Sequence, residues 1–503
     1  MKDACFLDAA LSHWATQRAD ATAVRVMGQL TSYAELDAHA NKVASVLLAL
    51  GVSHGDRVVL HAIKSVHAIA AVYGILRIGA IYVPIDPTAP PERVKAQIKA
   101  TQSSCLLADT AREKRLAEIY PELPRLDISQ TTRIEIDAEQ IEKQAAARTP
   151  QDGAYILMTS GSTGTPKGIL HTHHSGLAYA NMAAQLCELA HTDRVSHQTP
   201  LHFDMSIFDI FSTAQVGACV VIIPEMHSKM PASLAKLVEQ EQISVWYSVP
   251  YAILQLNERG ALDKRDLSAL RIVMFAGETM PPASLKSFAA HMPKAVFINA
   301  YGPSETNHCT SAKLRFDALD GLSAVPIGHP DAGVDAKIMH GNQEAQSGEL
   351  LIASAQVMRG YWNNPELTAQ SLVTLQDASG TMRTYYRTRD LVRRMADGSL
   401  ALVGRVDRQI KLRGYRIELD EIERALSTTS GVSEAAVVFE DGHILAFVTG
   451  PNVPDASAIK QHIAKDLPPY AQPEHIHPLE QFSRTSTGKI DRKALIGHLN
   501  GSP

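Results

Sequence analysis

Apolar and polar positions follow two rhythms along this chain. Over residues 36–50 the apolar positions recur at helical spacing and stop before Gly51, which predicts an amphipathic helix closed by a glycine. Residues 57–62 form a short apolar run that predicts a strand. Residues 69–78 predict a second helix, and 80–86 a further extended segment ending in a proline turn. Short apolar runs return at 155–158, 218–223, 243–247 and 271–275, and turn residues follow them. Strands alternating with helices predict an α/β fold with parallel strands, in which ligands gather at the carboxyl ends of the strands. The polar, charged stretch 133–148 reads as a solvated connector. Strand patterns at 435–439 and 444–448 predict a smaller α+β domain after Asp407.

Composition narrows the class. A length of 503 residues is a soft prior for about three domains. The net charge of −5, from 48 Lys and Arg against 53 Asp and Glu, opposes a nucleic-acid partner, which calls for a basic patch or stripe. Cys5, Cys105, Cys187, Cys219 and Cys309 are scattered without a CxxC pair, so neither a disulfide framework nor a zinc site is expected. Free thiols in a reducing cytoplasm are the expected state. Acids near the N-terminus oppose a signal peptide, and no apolar run reaches the length of a membrane span; a soluble protein without a membrane partner is expected.

Chemistry concentrates in a few stretches. The ten residues from Thr159 to Gly168 hold eight Gly, Ser or Thr and one lysine, directly after the apolar run at 155–158. Glycines let backbone N–H groups approach a phosphate, hydroxyls donate further hydrogen bonds, and Lys167 adds positive charge. The stretch is not a Walker loop, because Lys167 follows Pro166 and precedes Gly168. His171, His173 and His174 form a His-x-His-His cluster with no evident fourth metal ligand. Asp204 lies in an apolar setting, where a carboxylate needs a partner; it is either a substrate ligand or a helix N-cap. Ala276-Gly277-Glu278 and the block from Asn299 to Thr306 both follow predicted strands.

The stretch from Thr159 to Gly168 resembles the phosphate loop of the adenylate-forming enzymes, the superfamily of acyl-CoA synthetases, luciferases and peptide-synthetase adenylation domains. Further blocks resemble the same family in the same order, over roughly residues 28 to 494. They are Asn299-Ala300-Tyr301-Gly302-Pro303-Ser304-Glu305-Thr306, Gly360-Tyr361-Trp362-Asn363-Asn364-Pro365, Tyr386-Arg387-Thr388-Arg389-Asp390, the run from Gly404 to Glu418, and Arg484-Thr485-Ser486-Thr487-Gly488-Lys489-Ile490-Asp491-Arg492. In one block Arg389 stands where the family usually has glycine, which puts the local turn in question.

The resemblance implies a large N-terminal adenylate-forming domain of layered sheets and helices, 1–407, and a small mobile α+β lid, 408–503, turning about Asp407. It implies ATP and Mg²⁺. Thr159, Ser160, Gly161, Ser162, Thr163, Gly164 and Lys167 would hold phosphates. Gly277, Glu278, Asn299, Ala300, Tyr301, Gly302, Pro303 and Ser304 would line the nucleotide site, with Tyr301 stacked on adenine. Asp390 and Arg405 would meet the ribose, Glu305 would help hold Mg²⁺, and Lys489 would be the catalytic lysine.

In relatives that activate amino acids, the aspartate matching Asp204 pairs with the substrate ammonium. The pocket positions carried over by the resemblance are Asp204, Met205, Phe208, Tyr247, Met274, Ala276, Ala300, His308, Cys309 and Lys489. This set resembles that of free-standing prolyl ligases, except at His308, where an aliphatic residue is usual. The implied function is ATP-dependent activation of a small amino acid, L-proline first, and its transfer to the phosphopantetheine thiol of a separate carrier protein in natural-product biosynthesis. Another small or β-amino acid, a D-alanine–carrier ligase and an acyl-CoA synthetase are the alternatives. No second copy of the blocks occurs and the sequence stops soon after Lys489, so a free-standing enzyme is expected.

Overall fold

The computed structural model describes residues 5–133, 135–159, 166–484 and 490–499. The chain divides into two compact units. The first comprises residues 1–87, 101–158 and 168–406; the second comprises 88–100, 159–167 and 407–503.

Two mostly parallel sheets dominate the first unit. In one, the order is His329–Pro330, Thr310–Leu314, Val296–Tyr301, Ile272–Ala276, Val245–Ser248, Arg194–His197, Cys219–Ile222, Thr22–Val26, Gln29–Ser32. Its interior strands pair in parallel, and antiparallel strands finish both edges. The other sheet places Arg57–His61 between Ile81–Pro84 and Cys105–Ala108, in parallel. Helices cover the sheets, as parallel strands require. Tyr33–Ala49 starts with a capping box in which Ser32 and Glu35 satisfy each other's backbone N–H groups. The chain turns away at Gly51, whose φ of +83° suits glycine. A third, antiparallel sheet contains Ser347–Ala353, Met382–Arg394 and Leu400–Arg405.

Alternation along single strands sorts side chains to opposite faces. Tyr247, Met274, Ala276, Ile298 and Ala300 join one buried cluster, whereas Trp246, Val273, Phe275 and Phe297 join another. The parallel register sets Tyr247 beside Met274, Met274 beside Ile298, and Ala276 beside Ala300.

One expectation about the fold is incomplete: residues 135–148 are mostly exposed, as a solvated connector should be, but they are not without structure. The stretch 133–148 contains the helix Ala138–Ala146, capped by Asp137 and burying Ile141. The Asp137 N–H donates to Ser45 Oγ, so a tertiary contact organises a segment whose composition reads as solvated.

The second unit holds the hairpin Gln409–Leu412/Tyr415–Glu418 and the sheet Glu434–Glu440, His443–Thr449, His475–Pro478. The helices Leu419–Ser427 and Ala456–Ile463 bury Ile422, Leu426, Ile459 and Ile463 in its core. The strands expected at 435–439 and 444–448 lie within this sheet. Among the described residues no helix is long and apolar enough to cross a membrane.

Candidate active site

Carboxyl-terminal strand ends in the first unit carry most of the predicted site. Val296–Tyr301 delivers Asn299, Ala300 and Tyr301, and the loop beyond it delivers Gly302, Pro303, Ser304 and Glu305. Asn299 Nδ2 donates to the Pro326 carbonyl at 2.7 Å. Gly302 is required by close approach: a Cβ there would lie 1.7 Å from the Asn307 carbonyl oxygen. Gly277 ends the neighbouring strand at a φ of +99°, with Glu278 half-buried beside it.

The Tyr301 hydroxyl donates to Asp390 Oδ2 at 2.5 Å, and Arg405 ion-pairs with the other carboxylate oxygen. Burial, with the Asp390 charge, keeps the Tyr301 phenol protonated by pushing its pKa well up. Asp390 reaches Tyr301 from the strand Met382–Arg394, so residues about 90 apart meet at one point. The backbone at Arg389 has a φ of +59°, the left-handed conformation that glycine would take. The turn thus persists with arginine in it. Its N–H donates to Glu349 Oε1 and its carbonyl accepts from the Val406 N–H.

Glu305 is fully buried, and its Oε1 accepts from the Tyr361 hydroxyl at 2.7 Å. Its carboxylate is a hard oxygen ligand of the kind Mg²⁺ prefers, held in one orientation by the phenol. His171 holds the preceding residue: its Nε2 lies 2.9 Å from the Ser304 carbonyl and its Nδ1 3.2 Å from Ser175 Oγ. Burial lowers the His171 pKa to about 4, so the ring is neutral near pH 7. His173 Nδ1 accepts from the Leu7 N–H. These two histidines act as buried struts, and among the described residues no group of three or more His, Cys, Asp or Glu could hold a metal.

The amino-acid pocket positions also converge. Asp204 precedes the continuous helix Met205–Ile207, Phe208–Ser212, Thr213–Gln215, whose middle is a π-helical turn. Asp204 is not a cap: its own backbone is helical and its side chain accepts no cap hydrogen bond. Its Oδ2 accepts from Ser304 Oγ at 2.6 Å, and its charge acts on Tyr155, Tyr179 and Tyr247. Phe208 meets Tyr247 edge-to-face at 5.4 Å. Thr199 Oγ1 donates to the Met205 sulfur. Met274, Ala276 and Ala300 lie on the same sheet face as Tyr247. Cys309 is buried, and its thiol donates to the Tyr301 carbonyl.

His308, the departure from an aliphatic wall, is buried with Nε2 3.0 Å from Asp331 Oδ2. Tyr179, on the helix His173–Leu186, sets its ring edge against His308 at 6.3 Å. Sequence reasoning missed it, because a tyrosine on an apolar helix face gives no local signal. Tyr361, the partner of Glu305, lies in the block from Gly360 to Pro365, to which sequence reasoning gave no role.

Some predicted residues belong to the second unit. Lys167 begins the strand Lys167–Thr172 and places Nζ 3.7 Å from Glu418 Oε1. Thr159 ends the strand Gly153–Thr159. Asp407 Oδ1 accepts weakly from the Gln409 N–H. Ser160, Gly161, Ser162, Thr163, Gly164 and Lys489 lie outside the described residues.

The family model for AMP-binding enzymes matches residues 11–362, and that for the AMP-binding enzyme C-terminal domain matches 421–489. An L-proline–[L-prolyl-carrier protein] ligase of Pseudomonas fluorescens is 34% identical over 93% of this chain and 94% of that protein. Surfactin synthase subunit 3 of Bacillus subtilis is 31% identical over 95% of this chain, which spans 37% of that longer protein. An adenylation domain of Vibrio cholerae, solved with glycyl-adenosine-5'-phosphate, superposes with a TM-score of 0.83 at 26% identity, over 99% of this chain and 98% of its own. With a family match over more than half its length and a full-length relative above 30% identity, the chain belongs to the AMP-binding enzymes, the adenylate-forming ligases.

Proposed function

We propose that this enzyme activates a small amino acid, L-proline first, with ATP and passes it to the phosphopantetheine thiol of a separate carrier protein. The observation that carries the reading is the carboxylate of Asp204. It is half-buried, does no capping, is oriented by Ser304, and its charge acts on Tyr247, which shares a buried cluster with Phe208 and Met274. An anion kept in an apolar pocket selects a cation, and the α-ammonium of an amino acid supplies one. The bulk of Phe208, Tyr247 and Tyr179 leaves space for a small side chain. The prolyl-carrier ligase among the relatives adds support from its name alone.

In the first step the substrate carboxylate attacks the α-phosphorus of ATP and pyrophosphate leaves. The carboxylate is already a nucleophile, so the protein's task is to position and to offset charge. Asp390 would accept from the ribose hydroxyls, while Gly277, Glu278 and residues Asn299 to Ser304 would border the base and sugar, with Tyr301 against adenine. Lys167 and the residues from Thr159 to Gly164 would hold the leaving phosphates. Mg²⁺ would be held by Glu305 and would offset phosphate charge. Lys489 would bridge carboxylate and phosphate oxygens. We assign residues 1–407 to the core and 408–503 to a lid, with Asp407 as the hinge of a rotation that withdraws Lys489 before the thiol attacks.

An ATP–pyrophosphate exchange panel over all amino acids and amine-free acids tests this reading. Proline, or another small amino acid, should give the fastest exchange. Equal exchange with an amine-free acid of the same shape would reject the role given to Asp204.

A further inference from the structure

A second group of titratable side chains, Lys64, His197 and Asp209, lies next to the predicted amino-acid pocket without belonging to it. Asp209 Oδ2 is 2.9 Å from His197 Nδ1, and both side chains are 0% exposed. The remaining polar atoms, Asp209 Oδ1 and His197 Nε2, have no hydrogen-bond partner among the described residues. Lys64, with a side chain 2% exposed, adds its charge to both groups. Its ammonium donates to the Gln198 carbonyl and lies 3.8 Å from Glu225, while the Trp246 indole fixes the Gln198 amide. Burying three ionisable groups is costly and contributes little stability over an apolar core of the same volume. Their geometry offers a reason for keeping them.

Phe208 and Asp209 are consecutive residues, yet each meets a side chain on one of two neighbouring strands. Val195 pairs with Val245, so His197 and Tyr247 each stand two residues further along their strands. Phe208 packs on Tyr247 and Asp209 bonds His197. Both contacts arise in the π-helical turn Phe208–Ser212, a rare conformation that accommodates one extra residue relative to an α-helix. Relaxing that turn to an α-helix would rotate the preceding residues by about 100°, one residue's share of a turn. Those residues include Asp204 and Met205.

We propose that Lys64, His197 and Asp209 are positioning residues. The His197–Asp209 bond, with Lys64 behind it, holds the π-helical turn in register and thereby aims Asp204 and Phe208 at the amino acid. The inference rests on the functional reading above, and its test has one arm that does not.

Asp209→Asn preserves shape and hydrogen bonding, whereas Asp209→Ala removes the anchor. In the free enzyme, hydrogen–deuterium exchange over residues 204–216 should accelerate in Asp209→Ala and stay near wild type in Asp209→Asn. In pyrophosphate exchange, Asp209→Ala should raise the amino-acid KM roughly tenfold with little change in the ATP KM, and Asp209→Asn should restore it. If Asp209→Ala does not fold, the double variant His197→Leu/Asp209→Leu keeps the volume apolar and takes its place. Unchanged exchange protection in the anchor-free variant, or an equal response of Asn and Ala, overturns the proposal. Should wild type activate no amino acid, the functional reading fails while the hydrogen-exchange comparison still decides the role of the network.

Discussion

The Ser304 hydroxyl donates to Asp204 Oδ2 at 2.6 Å, which ties the loop beyond Tyr301 to the head of the helix over residues 205–215. The hydrogen bond holds this carboxylate in one direction, so in the role proposed above it would meet an ammonium without first reorganising. Asp204→Asn keeps the shape and removes the charge. Breaking one side of a buried charged hydrogen bond costs about 2–5 kcal/mol, so kcat/KM for the amino acid should fall roughly 30-fold or more. Cyclopentanecarboxylate, which resembles proline without the amine, should lose far less. Parallel losses for the two acids would make Asp204 a structural residue.

Arg389 tests the price of a left-handed arginine. The residue is exposed and has a φ of +59°. A non-glycine residue there is strained by about 1–2 kcal/mol, and glycine offsets part of that gain through its more flexible unfolded chain. Arg389→Gly should raise stability by up to about 1 kcal/mol, and the β-branched Arg389→Val should lower it. Urea denaturation of both variants checks the sign. A destabilised glycine variant would mean that the arginine side chain contributes more than its strain costs.

Asp390 should govern ATP rather than the amino acid. Tyr301 and Arg405 both bond its carboxylate, so Asp390→Ala strands a cation and a phenol at the proposed nucleotide site. The ATP KM should rise about tenfold or more, while Tyr301→Phe, which deletes one neutral donor, should raise it severalfold at most. A change in the amino-acid KM of the same size would place Asp390 elsewhere in the mechanism.

Lys489→Ala should separate the half-reactions. Loss of one preorganised donor to developing charge costs about 3–4 kcal/mol, or roughly two to three decades in the exchange rate. Thiol transfer from preformed aminoacyl-AMP should persist. Asp407→Pro should do the converse, sparing exchange and impairing thioester formation. Rapid-quench assays of each half-reaction distinguish the two patterns, and wild-type exchange in the lysine variant would refute its role.

Acid should unfold the enzyme through buried imidazoles. Burial lowers His61, His171 and His173 to about 4 from an ordinary value of 6.5. The unfolded chain binds more protons between those values, so stability must fall as pH drops from about 6.5 towards 4. Each such histidine contributes up to about 1.4 kcal/mol per pH unit there. Proton uptake on unfolding at pH 5 should decrease by nearly one when His173 is replaced by Gln. No decrease would mean that His173 is already charged in the folded protein.

The sequence announced what depends on neighbours along the chain. Residues 243–247 and 271–275 show the strands that hold Tyr247 and Met274, and the spacing at 36–50 shows the helix Tyr33–Ala49. Resemblance supplied the rest of the candidate site. What escaped depends on contacts distant in sequence. Ala138–Ala146 is stabilised where Asp137 meets Ser45, so composition alone showed its exposure and missed its helix. The π-helical turn shifts a hydrogen-bond register by one residue without a sequence signature. Tyr179 meets His308 only after elements distant in sequence have packed.

The strand Ile272–Ala276 sends Met274 and Ala276 towards the pocket and Val273 and Phe275 into the helix-covered core. A two-residue pitch thus separates heritable change of two kinds. On the reading proposed above, substitutions at 274 and 276 would alter which acid is welcomed while the packing behind the sheet stays as it was. Substitutions at 273 and 275 threaten folding with no gain in choice. A lineage under selection for a new substrate can explore every second position of this strand and hold the intervening ones fixed.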